Sequence, residues 1–423
     1  MTLSVTEKVI RGETLTKGEL ASFIGGYLSG GVSRDDMTAF LRAVCARGLS
    51  EASTIALTEA MLESGDRMSF TPRGFPYADK HSTGGLADST TLVVAPVVAS
   101  CGVPFLKMSG RKLGHTGGTI DKLELFRGLR TDLSIEEAES IVDEVGAAIV
   151  AQTKDLVPAD KALYKLRDET NTVRSIPLIA SSVVSKKLAG GADVFVLDVK
   201  TGSGAFAEST DESVTLAKLM VKILASAGKK AAAVISDMNS PLGDHIGGEL
   251  EVSDALEALE GRGGRLSELS VTLASHILSM AKGISLAEAE KEARSAILSG
   301  AAREKLMDII RAQGGETTLF DPEYRARYRA HVAAVIPAEA DGCVSHIDCV
   351  ALGFAAREAE KAGGYGIYAP HKVGSRVKKG EPLFILYGET APSEDAVLAP
   401  LRACVTLSET APVYPLVFDI IEG

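Results

Sequence analysis

Cysteine is scarce in this chain: five residues in 423, scattered at positions 45, 101, 343, 349 and 404. Such a scatter builds no disulfide framework and suits a reducing compartment. Cys343, His346 and Cys349 invite a metal reading. No second ligand pair of similar spacing follows, so core thiols beside a surface histidine are the simpler expectation. Long apolar runs are missing as well. No stretch approaches the ~20 apolar residues of a membrane helix, and residues 1–8 lack the apolar core of a signal peptide. The expectation is a cytoplasmic protein without a membrane partner. Positive charge is in deficit: 45 Lys and Arg against 56 Asp and Glu leave a net charge of −11. That argues against non-specific nucleic-acid binding, which draws on positive charge.

What is present is ordinary for a globular protein, 45% hydrophobic and 24% charged, and long enough for two or three domains. Against the acidic background, two Gly/Ser/Thr-rich loops concentrate basic residues. One reads Asp79-Lys80-His81-Ser82-Thr83-Gly84-Gly85, the other Ser109-Gly110-Arg111-Lys112-Leu113-Gly114-His115-Thr116-Gly117-Gly118-Thr119. Glycines let backbone N–H groups approach an anion, hydroxyls add donors, and lysine supplies a point charge. A single such loop would read as an ordinary turn before a helix. Two in one chain favour a phosphate cradle with a proton donor beside it.

Residues 1–65 read as short amphipathic helices punctuated by Ser33, Ser50, Gly48 and Gly65. From about 75 the pattern changes to strands that end in glycine-rich loops opening helices: 105–108, 193–199 and 231–236 are the apolar, strand-like runs. Alternating strands and helices imply a mostly parallel sheet with ligands at the strands' C-terminal ends. Residues 373–386 alternate strand and turn residues, and are similar to the small sandwich of biotinyl and lipoyl carriers. No lysine stands between methionines there, so a structural third domain is expected rather than a carrier.

The second loop closely resembles the signature of the thymidine and pyrimidine-nucleoside phosphorylases. The first loop, Tyr164–Asp168, Ser181–Lys187 and Leu197–Phe206 resemble the same family, specifically to about residue 255 and more loosely beyond. The resemblance implies an α/β fold in three parts. A small helical domain would use 1–65 and 157–189, a mostly parallel-sheet α/β domain 66–156 and 190–330, and a C-terminal α+β sandwich-like domain 331–423. It also implies reversible phosphorolysis of uridine, thymidine or deoxyuridine by inorganic phosphate in a homodimer. A phosphoribosyltransferase of related fold and a non-catalytic nucleotide-sensing paralogue are the rival readings.

By resemblance, Lys80, Ser82, Thr91, Ser109 and Thr119 match the family's phosphate contacts. Lys107 and Met108 beside them are similar to the broad-specificity pyrimidine group. Arg167, Ser182 and Lys186, with Tyr164, are the base-binding set, and Phe206 is a candidate apolar wall. Arginine and lysine there would pair with carbonyl oxygens as the leaving base becomes anionic. His81 is favoured over His115 as general acid because it lies between Lys80 and Ser82. The catalytic expectation is therefore His81, Arg167 and Lys186. The family's monovalent-cation site, potassium in the relatives, maps onto Ala87, Ser89, Leu242, His245 and Asp254. The family's glutamate is the shorter Asp254 here, and Glu251 is a substitute to consider. Lys112 replaces a small residue of the signature, and residues 352–357 lack the second glycine common before the arginine. No serine or cysteine has the company of an activated nucleophile.

Overall fold

Side-chain caps set the first helices. Ser4 and Thr16 close capping boxes with Glu7 and Glu19 at the starts of α1 (Val5–Arg11) and α2 (Lys17–Ser29). Ser33 and Ser50 cap α3 (Arg34–Arg47) and α4 (Glu51–Leu62), and Gly48 at φ 75° stops α3. The computed structural model describes residues 4–70, 74–111, 117–152, 156–207 and 209–423.

Strands and helices then alternate: β1 (Ala78–Ser82), α5 (Thr90–Ser100), β2 (Phe105–Ser109), α6 (Thr119–Leu123), α7 (Ile135–Val145) and β3 (Ala147–Ala151). The next two helices, α8 (Pro158–Glu169) and α9 (Ile176–Ala189), leave the sheet and pack on α4. The helical unit is thus assembled from two stretches of chain. Back in the sheet come β4 (Val194–Thr201), α10 (Thr210–Ser226) and β5 (Lys230–Asp237), followed by β6 (His245–Ile246), α11 (Gly248–Leu259) and α12 (Gly264–Lys282).

The main sheet runs parallel from β5 through β4, β1 and β2 to β3. Both faces are covered, which explains the apolar run 194–197 at the start of β4. Val194 and Val196 enter one core, while Phe195, Leu197 and Val199 enter the other. The first core holds α5, buried along nearly its whole length against α12 and the helix Ala301–Ala312. The second joins the sheet to the helical unit.

The C-terminal region forms two small antiparallel sheets from β7 (Val332–Pro337), β8 (Gly342–Ile347), β9 (Gly364–Tyr368), β10 (Arg376–Val377), β11 (Pro382–Gly388) and β12 (Val405–Ser408). The expected boundary at 331 is crossed in both directions. Strand β6 pairs with β9, and the last strand, β13 (Val417–Glu422), returns to the main sheet antiparallel to β5. The reason is an edge: without β13, the outer side of β5 would offer unpaired backbone groups. Cys343, Cys349 and Cys404 are buried and His346 is exposed. Among the described residues no helix is long and apolar enough to cross a membrane.

Candidate active site

The C-terminal ends of β1 and β2 open into a cleft of about 670 Å³ between the sheet and the helical unit. Every phosphate and base candidate lines it: Lys80, His81, Ser82, Thr91, Lys107, Met108, Ser109 and Thr119 on the sheet side, Tyr164, Arg167, Ser182 and Lys186 from α8 and α9, and Phe206 at the rim. Lys107 and Met108 lie in strand β2 as expected, whereas Lys80, His81 and Ser82 are the last residues of strand β1 and Ser109 the last of β2, rather than loop residues. Thr91 and Thr119 sit in the first turns of α5 and α6. His115 and Lys112 lie outside the described residues.

Strand alternation explains how one short run serves both halves of the cleft. Lys80 and Ser82 turn toward α5: the Lys80 Nζ donates to Thr90 Oγ1 at 2.5 Å and Ser82 Oγ donates to Asp88 Oδ2 at 2.6 Å. Asp79, in phase with His81, turns toward α9, where its carboxylate accepts from Lys187 Nζ at 2.7 Å.

Beneath the first loop lies a buried charge network that the sequence does not advertise. Asp88 also accepts from Thr90 Oγ1, and Lys200 stands 3.7 Å from Asp88 and 2.8 Å from Asp198. Lys80 is 3.5 Å from Asp198. Burial alone would raise the Asp88 carboxyl, but Lys200, Lys80 and the Ser82 and Thr90 hydroxyls outweigh it and hold the group well below the carboxylate range. Parallel pairing of β1 with β4 brings these residues together.

On the α8–α9 side of the cleft, Arg167 is 3% exposed and donates to the carbonyls of Thr172, Val173 and Leu178. A guanidinium has about five N–H donors, so part of the fork stays free for a ligand. Its carbon lies 5.6 Å from the Tyr164 ring centroid. Lys186 Nζ donates to Asp160 Oδ2 at 2.5 Å and Ser182 Oγ at 2.8 Å. Burial lowers the Lys186 ammonium and Asp160 opposes that shift. Phe206 is 39% exposed, so it is a rim residue and not a core phenylalanine. Gly84 packs beside it: at φ 95°, a Cβ there would meet the Phe206 ring at 3.4 Å.

His81 departs from expectation in its charge. Burial, then Lys187, Lys107, Lys186 and Lys80, push its pKa well below the ordinary value of 6.5. That shift favours the neutral ring in the free site.

Residues 75–303 match the family model described as "Glycosyl transferase family, a/b domain", and residues 3–65 match "Glycosyl transferase family, helical bundle domain". The sequence is 41% identical over 421 residues, 97% of each chain, to a pyrimidine-nucleoside phosphorylase of Bacillus subtilis (strain 168). It is 42% identical over 429 residues, 99% of each chain, to one of Geobacillus stearothermophilus. The chain belongs to the thymidine and pyrimidine-nucleoside phosphorylase family. Its fold is similar to that of anthranilate phosphoribosyltransferase from Thermus thermophilus, with a TM-score of 0.61 and 22% identity, covering 74% of this chain and 99% of that one. At that identity the likeness is one of fold alone.

For a phosphorylase-family chain the cation candidates need their own test. The structure brings the 87–89 and 242–254 segments together, with Gly243 N–H donating to the Ala87 carbonyl at 3.2 Å. The carboxylate expected to hold the ion is already committed. Asp254 Oδ2 accepts from the backbone N–H groups of Asp244 and His245, both at 2.8 Å, and Oδ1 lies 2.6 Å from His245 Nδ1. Glu251, the substitute, accepts from Gly247 N–H and pairs with Lys122 Nζ at 2.7 Å. Both candidate carboxylates are therefore already taken by donors of the protein itself.

Proposed function

We propose that this chain catalyses the reversible phosphorolysis of pyrimidine nucleosides (uridine, thymidine or deoxyuridine) to the free base and an α-linked (deoxy)ribose 1-phosphate. The observation that carries this reading is the convergence of both candidate sets on one cleft, from two segments of chain. Hydroxyls of Ser82, Thr91, Ser109 and Thr119 and the buried cation of Lys80 would hold phosphate at the strand ends. In the free site the Ser82 proton goes to Asp88, so this hydroxyl must turn from the carboxylate before it can donate to phosphate. The base would lie between α8 and α9, where Lys186 retains one N–H beyond those given to Asp160 and Ser182.

Attack of phosphate on the anomeric carbon inverts it and needs no protein nucleophile. As the glycosidic bond breaks, negative charge grows on the pyrimidine, and Arg167 and Lys186 stabilise it more than they stabilise the bound nucleoside. The dianion of bound phosphate offsets the lysines around His81, which then carries a proton to the 2-carbonyl of the departing base. The protein would act as a cytoplasmic homodimer.

The test is base release from uridine and from thymidine, each with phosphate, with arsenate and with neither. Release should depend on phosphate or arsenate and be indifferent to a divalent-metal chelator. Equal release without either anion would make the protein a hydrolase.

A further inference from the structure

Asp254 and His245 close a loop. Segment 242–245 runs beneath the first phosphate loop, with Leu242 N–H donating to the Leu86 carbonyl and Gly243 N–H to Ala87. Asp254, 8% exposed on α11, anchors that segment by accepting two successive backbone N–H groups from it. Its other oxygen faces His245 Nδ1. A carboxylate only accepts, so Nδ1 is the donor and the imidazole is fixed in one orientation. The ring is held from its other side by Tyr368 of β9, centroid to centroid 4.8 Å. Lys122 adds a second tie. From α6 its ammonium donates to the Asp88 carbonyl at 2.7 Å and pairs with Glu251 of α11.

Potassium in a cage of carbonyls and one carboxylate stiffens a site by linking segments that would otherwise move, and it binds only if those oxygens replace its hydration shell. Here the carboxylate oxygens face N–H donors, whose positive ends repel a cation, and the same segments are already linked by side chains. We propose that this chain holds its phosphate loop without a bound monovalent cation, the His245–Asp254 pair doing the tying that an ion would otherwise do. Shortening glutamate to aspartate draws the carboxylate back onto the 244–245 backbone, and the imidazole of His245 takes its remaining oxygen.

The test uses the full chain without substrate, so its outcome is independent of the reaction assigned above. Melting temperature is measured in potassium chloride and in tetramethylammonium chloride at matched ionic strength. The expected difference is under about 1 °C, because only a ligand that binds the native state shifts the midpoint. The double variant His245→Ala/Asp254→Glu restores the longer carboxylate and frees it, and should acquire a saturable rise in melting temperature with potassium chloride. A wild-type midpoint that rises saturably by more than about 3 °C with potassium but not with tetramethylammonium overturns the proposal. So does saturable thallium(I) binding to the wild type, read by thallium NMR and lost in Asp254→Asn. A double variant as indifferent as the wild type overturns the assignment of the block to this pair.

Discussion

Arg167 and Lys186 would read in isolation as solvated helix charges, yet both end inside the cleft with their donors only partly used. If they stabilise the leaving base, Arg167→Ala and Lys186→Ala should each lower kcat by more than roughly tenfold, since such contacts act mainly in the transition state. Steady-state kinetics on thymidine checks this, and unchanged kcat in both would make them structural. Asp88→Asn should act differently. It frees the Ser82 proton and removes a negative charge beside Lys200 and Lys80, so the KM for phosphate should fall. Stability should drop by about 3 kcal/mol, the scale for breaking a buried pair by removing one partner. His81 makes a pH prediction. Its native pKa is depressed, so below the ordinary value of 6.5 the unfolded chain binds a proton that the native chain refuses. Stability present above that pH is therefore lost as pH falls through it. His276, depressed by burial, adds to the same slope. His81→Ala should melt with a flatter dependence between about pH 7 and about pH 5, and an unchanged slope would mean that the lysine field does not reach the ring. The cleft's polar donors are legible in the sequence because their residue types stand together in short runs. Asp88 with Lys200, and Lys186 with Asp160, are not: each pair forms only once strands or helices distant in sequence are laid side by side.

At the scale of elements, capping residues make the N-terminal helices legible, with Ser33, Ser50 and Gly48 at the observed ends of α3 and α4. The strand-like runs reappear as β2, β4 and β5. Strand β1 reads as part of a loop because Asp79, Lys80 and His81 are polar. Burial of Asp79 and Lys80 is tolerable because each has a partner, and His81 is half-buried at the cleft. The return of β13 to β5 is hidden for another reason: a half-exposed edge strand carries a weak apolar signature, and nothing local names its partner. Deleting residues 417–423 should expose the β5 edge, lower the melting temperature and promote aggregation. Melting and light scattering of the truncated chain check this, and a monodisperse, equally stable product would show that β13 is dispensable.

For the whole molecule, the cleft depends on two bodies meeting. The sheet carries the phosphate candidates and the helical unit the base candidates, so relative movement of the two would change the spacing between reactants in the proposed reaction. The N-terminal helices leave Ile10 and Leu28 exposed, with Phe23 and Tyr27 half-buried. That supports a dimer formed through this unit, and light scattering should give twice the 44.2 kDa chain mass. A fully active monomer would remove the dimer. In the proposed reaction, phosphate held at the strand ends attacks the sugar directly. Phosphorus-31 and proton NMR of the product formed from thymidine and phosphate tests it most directly. The α-anomer of deoxyribose 1-phosphate, one per thymine released, is the predicted result. Free deoxyribose, or a β-linked phosphate formed with retention through a covalent intermediate, would contradict it.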